Sequence, residues 1–255
     1  MSIRTGKCAV IALGGNALSP AGERSTIFDQ FRHTRESLSP IVALSREGWN
    51  VCIVHGNGPQ VGDELVRNEE ARATVEPLPL GVLVAATAGW IGYMIQQSLE
   101  NALRAAGSDR RVVTVLTQVV VGKDDPALSH PAKFVGHELT AARASELAGT
   151  GVATATDGNG RVRRVVGSPM PLEIHEQAVI QTLLDDGVIV VACGGGGIPV
   201  YRDASDALEG LDCVIDKDLA AAALAGGIGA DLFMILTDVD AVYADWGKPS
   251  ERPLA

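Results

Sequence analysis

Short runs of apolar, β-branched residues alternate with helical patterns along the chain, and this alternation constrains the fold most. The runs that predict strands are Cys8–Leu13, Val51–Val54, Val112–Val121, Val188–Gly197 and Leu232–Tyr243. Apolar strands separated by helices are typical of a mostly parallel sheet that is covered by helices on both faces. We therefore predict an α/β fold.

Two helical stretches bear on the class of protein. Apolar residues recur at roughly helical spacing from Ile27 to Val42, although Pro40 is expected to kink or end a helix there. The segment Pro77–Leu99 carries no charged residue and is long enough to cross a bilayer. It contains several glycines and two glutamines and has no flanking basic cluster, so we predict a buried helix instead.

The stretch from Gly122 to Gly167 differs from the rest because it is polar, rich in loop-forming residues and carries the basic segment GRVRRVV. We predict that residues 122–167 leave the main sheet as a small, hairpin-bearing protruding subdomain. The remainder shows neither a linker nor a simple repeat, so residues 1–255 are predicted to form a single domain.

The net charge of −10 argues against a broad surface for nucleic acid or for an anionic membrane. It does not exclude an anionic small ligand, because backbone N–H groups and a few local cations can bind one.

The four cysteines form no CxxC pair, and we predict buried, reduced thiols. The apolar stretch before the first glycines is too short for a secretory signal, so we expect a cytoplasmic protein.

Three glycine-rich turns follow three of the predicted strands. The first turn is GGNA (Gly14–Ala17), the second turn is HGNGPQVG (His55–Gly62) and the third turn is GGGG (Gly194–Gly197). Glycine lets backbone N–H groups approach a ligand closely, and such groups bind anions, above all phosphate. Because the carboxyl ends of parallel strands share one edge of a sheet, the three turns predict a common phosphate site.

Two familiar phosphate-binding motifs do not account for these turns. The sequence has no GxxxxGK[ST], which excludes a P-loop enzyme. The second turn is close to a dinucleotide fingerprint. However, Pro59 interrupts it, and no acidic residue ends a second strand at the expected place.

Phosphoryl transfer also needs positive charge, and the chain has only five lysines. Lys133 lies in HPAKFVG, where the pattern alone fits a surface lysine as well as a functional one. Lys217 lies in IDKD at a predicted helix start, where the helix dipole disfavours a cation. Either Asp216 and Asp218 offset its charge in a capping cluster, or Lys217 faces a phosphate and an aspartate orients it.

Eight motifs, in order over essentially the whole chain, resemble those of carbamate kinase, a member of the amino acid kinase family. They are VIALGGNAL, HGNGPQVG, TAGWIGYMIQQSL, VLTQVVV, RRVVGSPMPLEIHE, CGGGGIPV, VIDKDLAAAALA and ILTDVDAVYADWGKP. The resemblance implies an open αβα sandwich with a mostly parallel central sheet and a small protruding subdomain, usually as a homodimer. Residues 1–187 would then lie mainly on the carbamate side and residues 188–255 mainly on the nucleotide side.

The resemblance also implies the reaction, which is reversible phosphoryl transfer between ATP and carbamate, giving ADP and carbamoyl phosphate. Mg²⁺ would be the cofactor, carried mainly by the nucleotide phosphates rather than by protein ligands. Arginine or purine breakdown would favour the direction that makes ATP, and the sequence leaves the direction open. No membrane or nucleic-acid partner is implied.

The family pattern assigns roles to matching positions of this sequence. The catalytic residues would be Lys133, Lys217 and Asp218: Lys133 reaches in from the protruding subdomain, Lys217 stabilises the transferring phosphoryl group, and Asp218 organises the cations. The substrate and phosphate groups would be bound at Gly14, Gly15, Asn16, Gly56, Asn57, Gly58, Gly195 and Gly196. The nucleotide would lie near Lys217, Thr237, Asp238 and Tyr243. Asp216 is then expected to be a helix cap.

This sequence departs from the family pattern at three places. Gly122 stands where an acid is usual, and KFVG replaces Lys-Pro-Ile-Gly after Lys133. The sequence also lacks the family's Gly-Ser-Met-x-Pro-Lys motif, whose lysine touches the nucleotide phosphates, so we expect a chain that is short at its C-terminal end. The alternatives are a truncated, inactive or ligand-binding homologue, or an amino acid kinase that acts on another small acid.

Overall fold

The computed structural model describes residues 6–18, 26–236, 243–245, 248 and 250–253, without the side chains of residues 16 and 17. The strands within these ranges are β1 (Cys8–Leu13), β2 (Asn50–His55), β3 (Val112–Thr114), β4 (Gln118–Val121), β5 (Lys133–Val135), β6 (Thr154–Thr156), β7 (Val162–Val166), β8 (Pro171–Ile174), β9 (Ile189–Val191), β10 (Ile198–Arg202), β11 (Leu208–Gly210), β12 (Leu232–Leu236), β13 (Tyr243–Ala244) and β14 (Arg252–Pro253). The helices are α1 (Gly15–Leu18), α2 (Ile27–Glu36), α3 (Ser39–Arg46), α4 (Gly58–Ala71), α5 (Leu80–Ala105), α6 (Pro126–Ser129), α7 (Ala141–Gly149), α8 (Gln177–Asp185) and α9 (Lys217–Gly227).

The central sheet is parallel and has the strand order β12-β1-β2-β9-β3. Side chains of β1 alternate between two apolar clusters, as successive residues of a strand must. Val10 packs with the helices α8 and α9, whereas Ile11 packs with α3 and α5 on the opposite face. The predicted α/β sandwich, with helices on both faces of a mostly parallel sheet, is therefore confirmed.

The prediction of one continuous strand over Val112–Val121 was wrong. The segment forms β3 at the edge of the central sheet and β4 in a second sheet, whose order is β11-β10-β4-β8. The break lies at Thr117, whose hydroxyl donates to the Val115 carbonyl and accepts from the Cys193 amide. The Thr117 carbonyl accepts from the Ile198 amide of β10, whereas the Val115 amide still donates to Val191 of β9, so the chain passes from one sheet to the other at this residue.

Two other predicted strands are shorter than their apolar runs. In Val188–Gly197, only β9 is extended, because Cys193 has a φ of 49° and Gly194–Gly196 forms a 3₁₀ turn. In Leu232–Tyr243, β12 ends at Leu236 and Tyr243 lies in β13, which pairs antiparallel with β14. Residues 237–242 between them lie outside the described part of the chain.

A third sheet, called here the small sheet, is antiparallel and has the order β5-β7-β6. All three strands lie within residues 122–167, for which a protruding subdomain was predicted. The division of the chain into a subdomain, a carbamate side and a nucleotide side stays a prediction.

The helical predictions hold with one refinement. Pro40 lies in the first turn of α3, where its missing N–H is not needed, so it begins a new helix after α2 has ended. Helix α5 buries one face along its 26 residues. Among the described residues, no helix combines the length and the apolar character that a membrane crossing requires.

All four cysteines are free and buried, as predicted, and burial raises the pKa of Cys193 to about 12.

Candidate active site

The first and second glycine turns lie side by side because β1 and β2 are neighbours in the sheet. Leu13 and His55 are paired at the ends of these strands. The Gly56 amide donates to the Leu13 carbonyl across 3.2 Å, and the Gly14 amide donates to the Leu236 carbonyl of β12 across 2.9 Å. The two turns are thus fixed to the carboxyl edge of three adjacent parallel strands.

Lys217 lies against the second turn, at the point where that turn approaches the first. A Cβ placed on Gly56 would lie 3.2 Å from Cδ of Lys217 and 3.5 Å from the amide nitrogen of Gly15. Gly56 therefore leaves the space that the lysine stem occupies. The Nζ atom of Lys217 donates to Oδ1 of Asp218 across 2.7 Å, and the lysine side chain is only 17% exposed.

The third glycine turn packs against the second. A Cβ on Gly194 would lie 2.6 Å from Nε2 of His55, and one on Gly195 would collide with the Asn57 side chain. Gly195 and Gly196 also have positive φ angles, which glycine adopts at little cost. Side chains at Gly194 and Gly195 would push the second and third turns apart, so glycine is required for the close approach.

Asn57 itself is buried, and its side chain is bonded to helix α5. Its Nδ2 donates to Oγ1 of Thr87 in α5 across 2.8 Å, and the residue is 2% exposed. The Asn57 side chain therefore anchors the turn to a helix, and the backbone N–H groups that follow begin α4.

The start of α9 carries two carboxylates with different partners. Asp216 is the N-cap of the helix: its Oδ1 accepts from the amides of Asp218 and Leu219. The expectation that Asp216 caps the helix is confirmed. Its Oδ2 accepts from Nζ of Lys133 across 2.7 Å. Burial opposes ionisation of Asp216, but Lys133 and the helix amides favour it more strongly, so the pKa of Asp216 is lowered.

Lys133 reaches this helix from β5 of the small sheet, which itself lies against α4. The Gly136 amide donates to the Gly58 carbonyl across 3.1 Å, and a Cβ on Gly62 would overlap the Gly136 backbone. The segment 133–136 therefore contacts the start of α9 through Nζ of Lys133 and the second turn through Gly136.

This arrangement suits an anionic ligand. Two lysine side chains, each paired with an aspartate, lie at one helix start, and that start packs against the second and third turns, whose backbones approach closely. Fixed cations and N–H groups of this kind stabilise charge that develops on phosphoryl oxygens. The described residues contain no group of three or more His, Cys, Asp or Glu side chains that could hold a metal ion.

Comparison with known proteins decides the family. A sequence model of the amino acid kinase family matches residues 7–254. The carbamate kinase of Pyrococcus furiosus is 42% identical over 250 residues, which are 97% of this chain and 79% of that protein. The chain belongs to the carbamate kinases of the amino acid kinase family.

Other carbamate kinases agree in sequence and in structure. That of Halobacterium salinarum is 46% identical over 248 residues, covering 96% of this chain and 78% of its own length. The carbamate kinase from Giardia lamblia bound to citric acid has a TM-score of 0.90 and 39% identity, with 96% of this chain and 79% of that chain covered. The same enzyme bound to AMP-PNP has a TM-score of 0.85 and 40% identity, with 99% and 80% covered.

Within this carbamate kinase fold, most residues predicted for the site come together. Gly15, Gly56, Asn57, Gly58, Gly195, Lys133, Lys217 and Asp218 are joined by the contacts given above, and Gly196 packs on the Ile215 carbonyl just before α9. Gly14 is bonded to β12, and Asn16 lies in α1, where its side chain is not described. Tyr243 is half-buried in β13. Thr237 and Asp238 lie outside the described residues.

His55 was not among the residues predicted for the site. Its Nδ1 lies 3.0 Å from the Gly56 carbonyl, which can only accept, so Nδ1 carries the proton. In the described part of the chain, Nε2 makes no hydrogen bond, and the ring is fully buried. Burial lowers the pKa of His55 to about 4, so the ring is neutral at pH 7. A histidine that ends an otherwise apolar strand was the signal available in the sequence.

Proposed function

We propose that this chain catalyses reversible phosphoryl transfer between ATP and carbamate, which gives ADP and carbamoyl phosphate. The observation that carries the proposal is the packing of Lys217 against Gly56 of the second glycine turn, where that turn approaches Gly15 of the first, with Asp218 bonded to its Nζ. The kinship with carbamate kinases, one of them bound to AMP-PNP, supports the choice of substrates.

Each predicted residue has a distinct part in this proposal. Carbamate is already an anionic nucleophile, so the site needs no strong base and acts by positioning and charge neutralisation. Lys217 faces the transferring phosphoryl group, and Asp218 orients the lysine. Lys133 contacts the carbamate side, and N–H groups of the first and second turns bind phosphoryl oxygens.

The proposed cofactor is Mg²⁺, which would enter on the nucleotide phosphates and neutralise their charge. The carboxylates of Asp216 and Asp218 are both bonded to lysines. This pairing fits a metal that is carried by the nucleotide better than one that is held by the protein. Thr237, Asp238 and Tyr243 remain the proposed nucleotide contacts.

We also propose a cytoplasmic homodimer that acts in arginine breakdown. Four free thiols support a reducing compartment. Exposed apolar side chains support self-association: Tyr93 on α5 is 55% exposed and Leu116, which follows the edge strand β3, is 52% exposed. Sedimentation of the purified chain tests the dimer.

The reaction is tested by incubating the chain with ADP, carbamoyl phosphate and Mg²⁺ and measuring ATP. We expect ATP formation that is abolished by Lys217→Ala. The matched control is Lys7→Ala, because Lys7 lies at the opposite end of β1, where its Nζ stacks on Trp49 at 5.3 Å. Full activity of Lys217→Ala, or no ATP from a folded wild-type chain, contradicts the proposal.

A further inference from the structure

The carboxylate of Asp216 divides its two oxygens between two unrelated parts of the molecule. Oδ1 accepts from two amides of its own helix start, at 2.9 Å and 3.3 Å. Oδ2 accepts from Nζ of Lys133, which is 83 residues away in the chain, at 2.7 Å.

Capping does not explain the second contact. A helix N-cap needs one acceptor oxygen, and asparagine or serine supplies it as well as aspartate does. The ion pair instead uses the charge and the second oxygen, which neither of those residues has. Asp216 is 36% exposed at its side chain and Lys133 is 23% exposed, so water screens the pair only partly.

The pair also determines where a flexible side chain ends. A lysine has a long stem with many rotamers, and an ammonium group without a fixed partner would sample several of them. Backbone contacts at Gly136 hold β5 against α4, but they do not direct the Lys133 stem. The bond to Asp216 directs it toward the start of α9, beside Lys217.

We propose that Asp216 is a positioning residue that holds the Lys133 ammonium at the active site and thereby ties the small sheet to the start of α9. The further step, in which the positioned Lys133 orients the substrate, rests on the proposed function. An ammonium has three N–H donors, so the bond to Asp216 does not prevent Lys133 from donating to a substrate oxygen.

The decisive variant is Asp216→Asn, which keeps the capping oxygen and places an NH₂ group, a second donor, opposite the ammonium. Asparagine is an equally good N-cap, so only the partly screened ion pair is lost, and the melting temperature should fall by no more than about 2–4 °C. The kcat/KM for carbamoyl phosphate should fall about tenfold or more, whereas the KM for ADP should change less than about twofold. Asp216→Ala should lose the same activity and also melt lower.

A double-mutant cycle separates positioning from a general structural effect. If Asp216 acts through Lys133, then adding Asp216→Asn to Lys133→Met lowers kcat/KM less than about twofold further. Wild-type kcat/KM in Asp216→Asn, or the same tenfold loss in both backgrounds, overturns the proposal.

A second measurement does not depend on turnover. Labelling of the chain with an amine-reactive ester, read by peptide mass spectrometry, gives the reactivity of Lys133 relative to Lys7. Release of Lys133 in Asp216→Asn should raise this ratio severalfold, and an unchanged ratio overturns the positioning role. If the wild type makes no ATP, the proposed function fails, and the labelling ratio still decides whether Asp216 holds Lys133.

Discussion

Asn57 and Thr87 form a buried hydrogen bond that ties the second glycine turn to helix α5. Nδ2 of Asn57 donates to Oγ1 of Thr87 across 2.8 Å, and the threonine hydroxyl donates in turn toward the carbonyls of Leu83 and Val84. Both residues are almost fully buried. The shape of the turn therefore depends on a helix from which no site residue was predicted.

Thr87→Val removes the hydroxyl that accepts from the side-chain amide of Asn57, and this buried donor loses its hydrogen-bond partner. We expect the free energy of unfolding to fall by about 1–3 kcal/mol, the usual cost of an unsatisfied buried donor. Urea unfolding measures this change. Thr87→Ser, which keeps the hydroxyl, is the matched control and should lose less. Equal stability of valine and serine at this position would show that the bond contributes little.

Gly195→Ala should destabilise the chain by about 3 kcal/mol or more and abolish ATP formation. The new Cβ would collide with the Asn57 side chain at a backbone position with φ of +70°, where alanine is strained. Gly149→Ala is the control, since a Cβ at the end of α7 meets nothing within 4 Å. That change should alter stability by less than about 1 kcal/mol. Similar melting curves for the two variants would contradict the packing of the third turn against Asn57.

His55 makes stability depend on pH. Its pKa is lowered to about 4 in the folded chain because burial disfavours the imidazolium, whereas an unfolded histidine titrates near pH 6.5. Between these two values the unfolded chain binds the extra proton. The titration of His55 therefore leaves the free energy of unfolding unchanged above about pH 6.5. As the pH falls from 6.5 toward 4, this free energy decreases by about 3 kcal/mol in all.

The measurement compares urea unfolding of the wild type and of His55→Asn at about pH 7, 5.5 and 4.5. Asparagine cannot titrate in this range, but its amide can still donate to the Gly56 carbonyl, as Nδ1 does. We expect the stability difference between the two proteins to shrink as the pH falls. Parallel pH profiles would mean that His55 is not held neutral.

Glu69→Gln should loosen the small sheet from α4. The Glu69 carboxylate accepts from Arg164, which is 10% exposed at its side chain, and from Arg143. Loss of the charge leaves the largely buried guanidinium of Arg164 without its acidic partner. The free energy of unfolding should fall by about 2 kcal/mol, which is less than for a fully buried pair. Faster hydrogen exchange in β7 measures the change.

The neighbouring Glu70→Gln is the control for Glu69→Gln. Glu70 is 74% exposed at its side chain, and its carboxylate lies 3.9 Å from Arg143, so its contribution should be close to zero. The prediction fails if both variants exchange at the same rate in β7.

Much of the fold followed from local patterns. Strand β1 has the bounds that its apolar run predicted, and the three glycine turns lie at strand ends as expected. The break at Thr117 was not predictable from apolar content, because Val112–Val121 is apolar on both sides of it. It depends on a hydrogen bond from Cys193, which is 76 residues further along the chain.

The candidate site, too, was predictable from the sequence only in part. A lysine between two aspartates at a helix start indicated an anion site, but the sequence left open which carboxylate faced which cation. The structure pairs Lys217 with Asp218 and Lys133 with Asp216. His55 escaped notice because the neutral state of its ring comes from the atoms packed around it, and the strand pattern does not show them.

The sequence by itself determined the elements that depend on near neighbours: the apolar strands, the glycine turns, the Asp216 cap and the family to which the chain belongs. Only the tertiary structure decided which distant groups meet. Asp216 bonds to Lys133 because the small sheet lies against α4 while α9 begins beside the same turns. Such a contact depends on how whole elements pack, and the residue spacing along the chain does not specify it.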